Sequence, residues 1–107
     1  MQTDELLEFH AELTTKAREI MRAKNHDYAN PELTGDPFAN FKRSEVMGIC
    51  SAEQGFLVRI TDKICRLTTF AQAGKLEVKN EGAEDAILDV INYMIILAGY
   101  LRSKEEK

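Results

Sequence analysis

Apolar positions along this chain of 107 residues recur at three- and four-residue steps in three long stretches. No segment shows the sustained two-residue alternation of a half-buried strand. In the first stretch Leu6, Phe9, Leu13, Ala17, Ile20 and Met21 form one stripe, which predicts a helix from Thr3 to about Lys24. Thr3 suits its cap, and Asp4 and Glu5 suit the positive end of its dipole. In the second, Leu57, Ile60, Ile64, Leu67 and Ala71 form the expected inward stripe of a helix over 51–73. Ser51 and Gln54 supply a capping box at its start, and Gly74 supplies its stop. The third stretch begins after Asn80, taken as the cap, and runs to about Arg102, leaving SKEEK as a frayed tail. Between them, NHDYANPELTG at 25–35 has turn chemistry, and Lys75–Lys79 reads as loop. Asp36 and Pro37 would cap and open a short helix that carries Phe38 and Phe41 and fades near Gly48.

The last helix sets the architecture. In AILDVINYMIILAGYL, residues 86–101, only Asp89 is charged and only Asn92 carries an amide. A helix apolar around most of its circumference needs neighbours on several sides. The expectation is an all-α bundle of three long helices and one short helix, completed by a second copy as a homodimer or homotetramer. The length fits one domain.

Composition narrows the function. A net charge of −4 and a pI of about 5.2 argue against an extended nucleic-acid surface. Cys50 and Cys65 form no CxxC and are expected as buried free thiols, and two histidines make a Cys/His zinc site improbable. The first residues lack a secretory leader, and the run 86–101 is short for a membrane span and contains Asp89. The chain is therefore expected to be cytoplasmic, without a membrane partner.

Candidate chemistry lies on the last two long helices. Glu81, Asp85, Asp89 and Asn92 fall on one helix face at three- and four-residue steps. Asp89, among aliphatic neighbours, needs a partner or a metal ion, whereas Glu81 suits a first helical turn. Asp85 and Asp89 can reach one Mg²⁺ from the same face. On the preceding helix Arg59, Asp62, Lys63 and Arg66 share an arc: Asp62 can join the acids and the bases can hold phosphate oxygens. The bland alternative is a solvated face with an Asp62–Arg66 ion pair. Glu53 is too far along the helix from Asp62 to share its ion and reads as structural. Lys24, Asp27, Tyr28, Asn40 and Phe41 offer an amide and aromatic rings of the kind a nucleobase pocket uses, set against ordinary turn and packing roles.

Three segments, KNHDYANP with FANFKRS, LVRITDKICRL and EGAEDAILDVINYMIIL, resemble in order and spacing the nucleotide-modification-associated domain family, often found in phages. That family is similar to the all-α nucleotide pyrophosphohydrolases of the MazG and dimeric dUTPase type. The resemblance spans roughly residues 18 to 100. It implies a helical bundle that cleaves a (deoxy)nucleoside triphosphate with Mg²⁺, for which Mn²⁺ can substitute. On this chain it would assign Asp62, Asp85 and Asp89 to the metal and the attacking water. Lys63, Arg66 and Arg59 would hold the phosphates, and Asn40, Phe41 and Asp27 the base or sugar, with Lys24 and Asn92 beside them. The usual pair of acids on the first metal helix appears here as Arg59-x-x-Asp62, so one acid is replaced by a base. A non-catalytic nucleotide binder, sequestering a signalling nucleotide on the same fold, is the alternative. A plain interaction module, its last helix serving only assembly, is the third class.

Overall fold

A computed structural model of the protein describes residues 1–29, 36–74 and 82–106, with side chains described from 1–24, 36–74 and 82–106. The loop assignments for 30–35 and 75–79, the proposed cap Asn80, and Glu81 lie outside those residues, as do the side chains of Asp27 and Tyr28. Among the described residues the chain is all-helical: α1 Thr3–Ala29, α2 Ala39–Val46, α3 Ala52–Ala73 and α4 Ala83–Glu105.

α1 runs further than its turn-rich end suggested, because local composition is a weak prior on helix length. Its start at Thr3 is the expected one, but Thr3 is already helical rather than the cap: the Gln2 carbonyl accepts from Leu6 N, and Glu5 accepts from Gln2 N. α2 begins after a turn in which Asp36 Oδ1 accepts from Phe38 N at 2.9 Å and Oδ2 accepts from Lys42 Nζ at 2.8 Å. Asp36 thus ties down the approach to α2, and Phe38, not Asp36, occupies the cap position. α3 has the expected ends. Ser51 and Gln54 make the reciprocal capping box, and Gly74 closes the helix in the left-handed region at φ 78°, where a Cβ would be strained. α4 is capped at Gly82, whose N–H donates to Asp85 Oδ2 at 3.0 Å, so the helix begins after Asn80 and Glu81. Its end extends beyond Arg102 to Glu105, held by Lys104 against Glu53 at 3.4 Å.

α3 and α4 form the most extensive helix pair, with α2 packed on α3 and α1 on α4. The core is aromatic. Phe41 of α2 stacks on Phe56 of α3 with ring centroids 4.2 Å apart, and Tyr100 of α4 closes the cluster at 6.0 Å from Phe56. Such pairs add roughly 1 kcal/mol beyond their burial.

The inward face of α3 shares the buried Ile60 and the half-buried Leu67 with the expected stripe but is otherwise rotated from it. Ala52, Phe56 and Ile60 are buried, whereas Leu57 and Ile64 are 52% and 46% exposed and Ala71 is exposed. Both faces of α3 carry an apolar stripe, and helical periodicity alone cannot say which one meets the chain's own core. α4 repeats the pattern: Leu88, Asn92 and Tyr100 are buried, and Ile87, Met94 and Leu101 stand exposed at seven-residue steps. Among the described residues α4 is the one helix long and apolar enough, by length and hydropathy, to cross a membrane, and 22% of its most apolar window is buried in the fold. The thiols are free, as expected, but neither is buried: Cys65 is exposed and Cys50 half-buried.

Gly55 of α3 shows how closely α2 and α3 approach. A Cβ there would lie 2.7 Å from Ser44 Oγ, itself a buried hydroxyl with no hydrogen-bond partner among the described residues. The same Cβ would sit 3.8 Å from Ser44 Cβ, an ordinary contact. Removing the hydroxyl therefore makes room for the methyl group. Urea unfolding should show Ser44→Ala/Gly55→Ala about 1 kcal/mol more stable than the wild type, from helix propensity, with Gly55→Ala alone less stable than the double variant.

Candidate functional site

Three helices bring charge to one point. Asp89, on the face of α4 that looks at α1 and α3, is only 16% exposed in its side chain. A carboxylate so placed needs counter-charge. Lys24, near the end of α1, reaches Oδ1 at 2.9 Å, and Lys63, on α3, reaches Oδ2 at 3.1 Å. Burial pushes the Asp89 carboxyl up, but hydrogen bonds and attraction from the two ammonium groups outweigh it and hold it below the ordinary carboxylate range.

Beside this triad lies a cavity of about 390 Å³. Lys24, Lys63 and Asp89 form one side of it and Asn92 and Tyr93 of α4 another. Asn40 and Phe41 of α2 and Arg59 of α3 close it, with Met21, Pro37 and Ile96 as apolar wall. Arg59 is held in place without a carboxylate. With its amide turned to suit its neighbours, Asn40 Oδ1 accepts from Arg59 Nη1 at 3.0 Å and Nη2 at 3.3 Å. The guanidinium also lies over the Phe41 ring, 4.8 Å from its centroid, a cation–π contact. Tyr93 meets the same ring edge-on at 5.9 Å. Among the described residues no acid is paired with Arg59.

Six of the expected binding residues therefore come together: Lys24, Asn40, Phe41, Arg59, Lys63 and Asn92, around Asp89. The other two acids do not join them. Asp62 is 66% exposed and faces Arg66 at 3.8 Å, the helix-surface pair that i,i+4 spacing allows, and neither lines the cavity. Asp85 spends its carboxylate on the Gly82 N–H at the start of α4. Among the described residues no group of three His, Cys, Asp or Glu side chains is placed to hold a metal ion. Magnesium is commonly held by one or two carboxylates together with ligand phosphates. Among the described residues the cavity offers one carboxylate, and both its oxygens are engaged by ammonium groups. This donor set does not fit an ion held by the protein alone.

Tyr93, Met21, Pro37 and Ile96 were not expected at a site. Tyr93 follows Asn92 directly, and a tyrosine next to an amide within an aliphatic run is a usable signal. Met21 and Ile96 look like any other stripe residues, and nothing in the sequence distinguishes them.

No family model matches the chain, and neither a curated protein nor a solved structure does.

The depressed carboxyl of Asp89 gives a pH dependence with a definite sign. Its contribution to stability is complete above the ordinary carboxyl value near 4 and fades as pH falls through its lower folded value. Asp89→Asn should cost about 1–3 kcal/mol at pH 7, because it removes the carboxylate that the Lys24 and Lys63 ammonium groups both approach. Thermal unfolding across pH 7 to 2 should show that deficit shrinking only below about pH 4.

Proposed function

We propose that this protein binds a nucleotide in the cavity between its four helices, through the ligand's phosphate and without a metal ion held by the protein alone. The observation that carries this reading is the charge and chemistry of one small space. Among the described residues Lys24, Arg59 and Lys63 line it against one carboxylate, that of Asp89, with two amides and two aromatic rings alongside. Cations in that ratio favour an anion, and charge-assisted hydrogen bonds to phosphate oxygens are the strong ones. Arg59 is the best-prepared of the three. Its plane is set by Phe41 and Asn40 rather than by a competing acid, so its fork is arranged before a ligand arrives. Phe41 and Tyr93 offer ring surface for a base, and Asn40 and Asn92 offer amides for its edge or the sugar. A volume of about 390 Å³ is near the small end of ligand cavities and suits one small molecule rather than a polymer.

Sequestration fits these residues better than hydrolysis. The resemblance to pyrophosphohydrolases assigns Asp62, Asp85 and Asp89 to one ion, and the three carboxylates serve an ion pair, a helix cap and a lysine pair instead. Asp89 alone could turn toward a magnesium ion that arrives with ligand phosphates. No hydrolytic step follows from these residues.

The exposed stripes favour assembly as a homo-oligomer. Leu57 and Ile64 on α3, and Ile87, Met94 and Leu101 on α4, are each at least 40% exposed. Exposed apolar surface of this extent on adjoining helices marks an interface.

Titration calorimetry with the common ribo- and deoxynucleoside mono- and triphosphates should give binding that persists in EDTA, with the ligand recovered intact. Arg59→Ala should weaken it by roughly tenfold to a hundredfold with little loss of fold. Binding that vanishes in EDTA, or release of pyrophosphate under Mg²⁺, would refute the metal-free reading and return the hydrolase. Sedimentation should show that Ile64→Glu with Met94→Glu shifts the protein toward monomer.

A further inference from the structure

Asn92 is 6% exposed, and it lines the cavity. The two ends of its amide have different fates. Nδ2 donates to the Ala17 carbonyl of α1 at 2.9 Å. A carbonyl oxygen only accepts, so this bond fixes which end of the amide faces α1. Oδ1 is thereby turned away from Ala17, and no described residue donates to it. The nearby ammonium groups of Lys24 and Lys63 are both engaged by Asp89, one turn earlier on α4. Buried amide oxygens are nearly always satisfied, and leaving one without a donor costs free energy. An orphaned acceptor on a residue that lines a cavity is therefore a position that a ligand can complete.

We propose that Asn92 Oδ1 is the acceptor that reads the ligand, taking an N–H or O–H donor from the sugar or base of the nucleotide. The inference rests on the nucleotide reading above and adds a selection rule to it. Phosphate is held by the cations, and choice among nucleotides is exercised at Asn92. A ligand with a phosphate but no donor at this position leaves Oδ1 buried and unpaired. Sites built to hydrogen-bond a ligand group discriminate strongly against the analogue that lacks it. The direction is also fixed. The position rewards a donor and penalises a second acceptor, so a carbonyl or ring nitrogen placed there would be disfavoured.

The test uses the wild-type protein and ligand pairs that differ in one donor. The tightest-binding nucleotide of the common set is compared by calorimetry with its 2′-deoxy or ribo counterpart, its 3′-deoxy form and forms N-methylated on the base. Loss of the donor that Asn92 reads should weaken binding at least about tenfold, while loss of the other donors changes it little. The sugar and base series separately identify the source. Asn92→Asp keeps an acceptor and loses the bond to Ala17, so it should lower Tm and overall affinity yet preserve the donor preference. Asn92→Ala should flatten the preference. If Asn92→Ala does not fold, the wild-type series decides alone. Equal affinity for every analogue, or a preference that survives in folded Asn92→Ala, overturns the inference and leaves phosphate-directed nucleotide binding standing. Absence of binding by any nucleotide overturns both.

Discussion

A carboxylate on α4 that is largely withdrawn from water organises this molecule. Asp89 is tolerable there only because α1 and α3 each deliver an ammonium group to it. That requirement fixes where the end of α1 must lie and which turn of α3 faces α4. The cavity is a by-product of the same arrangement. Long lysine side chains converging on one acid hold their helices apart, and the space beside them is lined by whatever those helices carry. Arg59 stands one turn before Lys63 on α3, and Asn92 three residues beyond Asp89 on α4.

The arrangement divides labour between charge and shape. The aromatic cluster of Phe41, Phe56 and Tyr100 stabilises the bundle through contacts between rings. The polar groups of the cavity are gathered to one side of it, and among the described residues two buried polar atoms lack a partner: Ser44 Oγ at the α2–α3 contact and Asn92 Oδ1 on a residue that lines the cavity. Of the two, only Asn92 belongs to a residue that lines the cavity, which is why its oxygen carries the inference about ligand choice.

The helices were legible in the sequence because their stop signals are chemical. Ser51 with Gln54, and Gly74, mark α3 without any reference to the rest of the chain. The direction in which α3 faces was legible only in part. Of the expected stripe Ile60 turns inward and Leu67 is half-buried, whereas tertiary packing sets Ala52 and Phe56 inward and leaves Leu57, Ile64 and Ala71 exposed. The site was legible to the extent that it depends on spacing along a helix. Arg59, Lys63, Asp89 and Asn92 were expected together and are together. The shared metal ion was a different kind of claim. It required carboxylates on separate turns to turn inward at once, whereas Asp85 had a nearer donor in the Gly82 N–H and Asp62 a nearer cation in Arg66. Local partners won because they cost no additional ordering.

α2 is only eight residues long, and a helix that short does not persist in water on its own. It stands because Phe41 is seated against Phe56, and the other face of that ring supports Arg59. One benzene ring is thus keystone, cavity wall and platform for the anion-binding cation. The position has no independent freedom. A substitution that reshaped the pocket at Phe41 would loosen α2, and one that loosened α2 would misplace Arg59. Divergence toward a different ligand on this scaffold would have to proceed through residues with a single duty, leaving the ring unchanged.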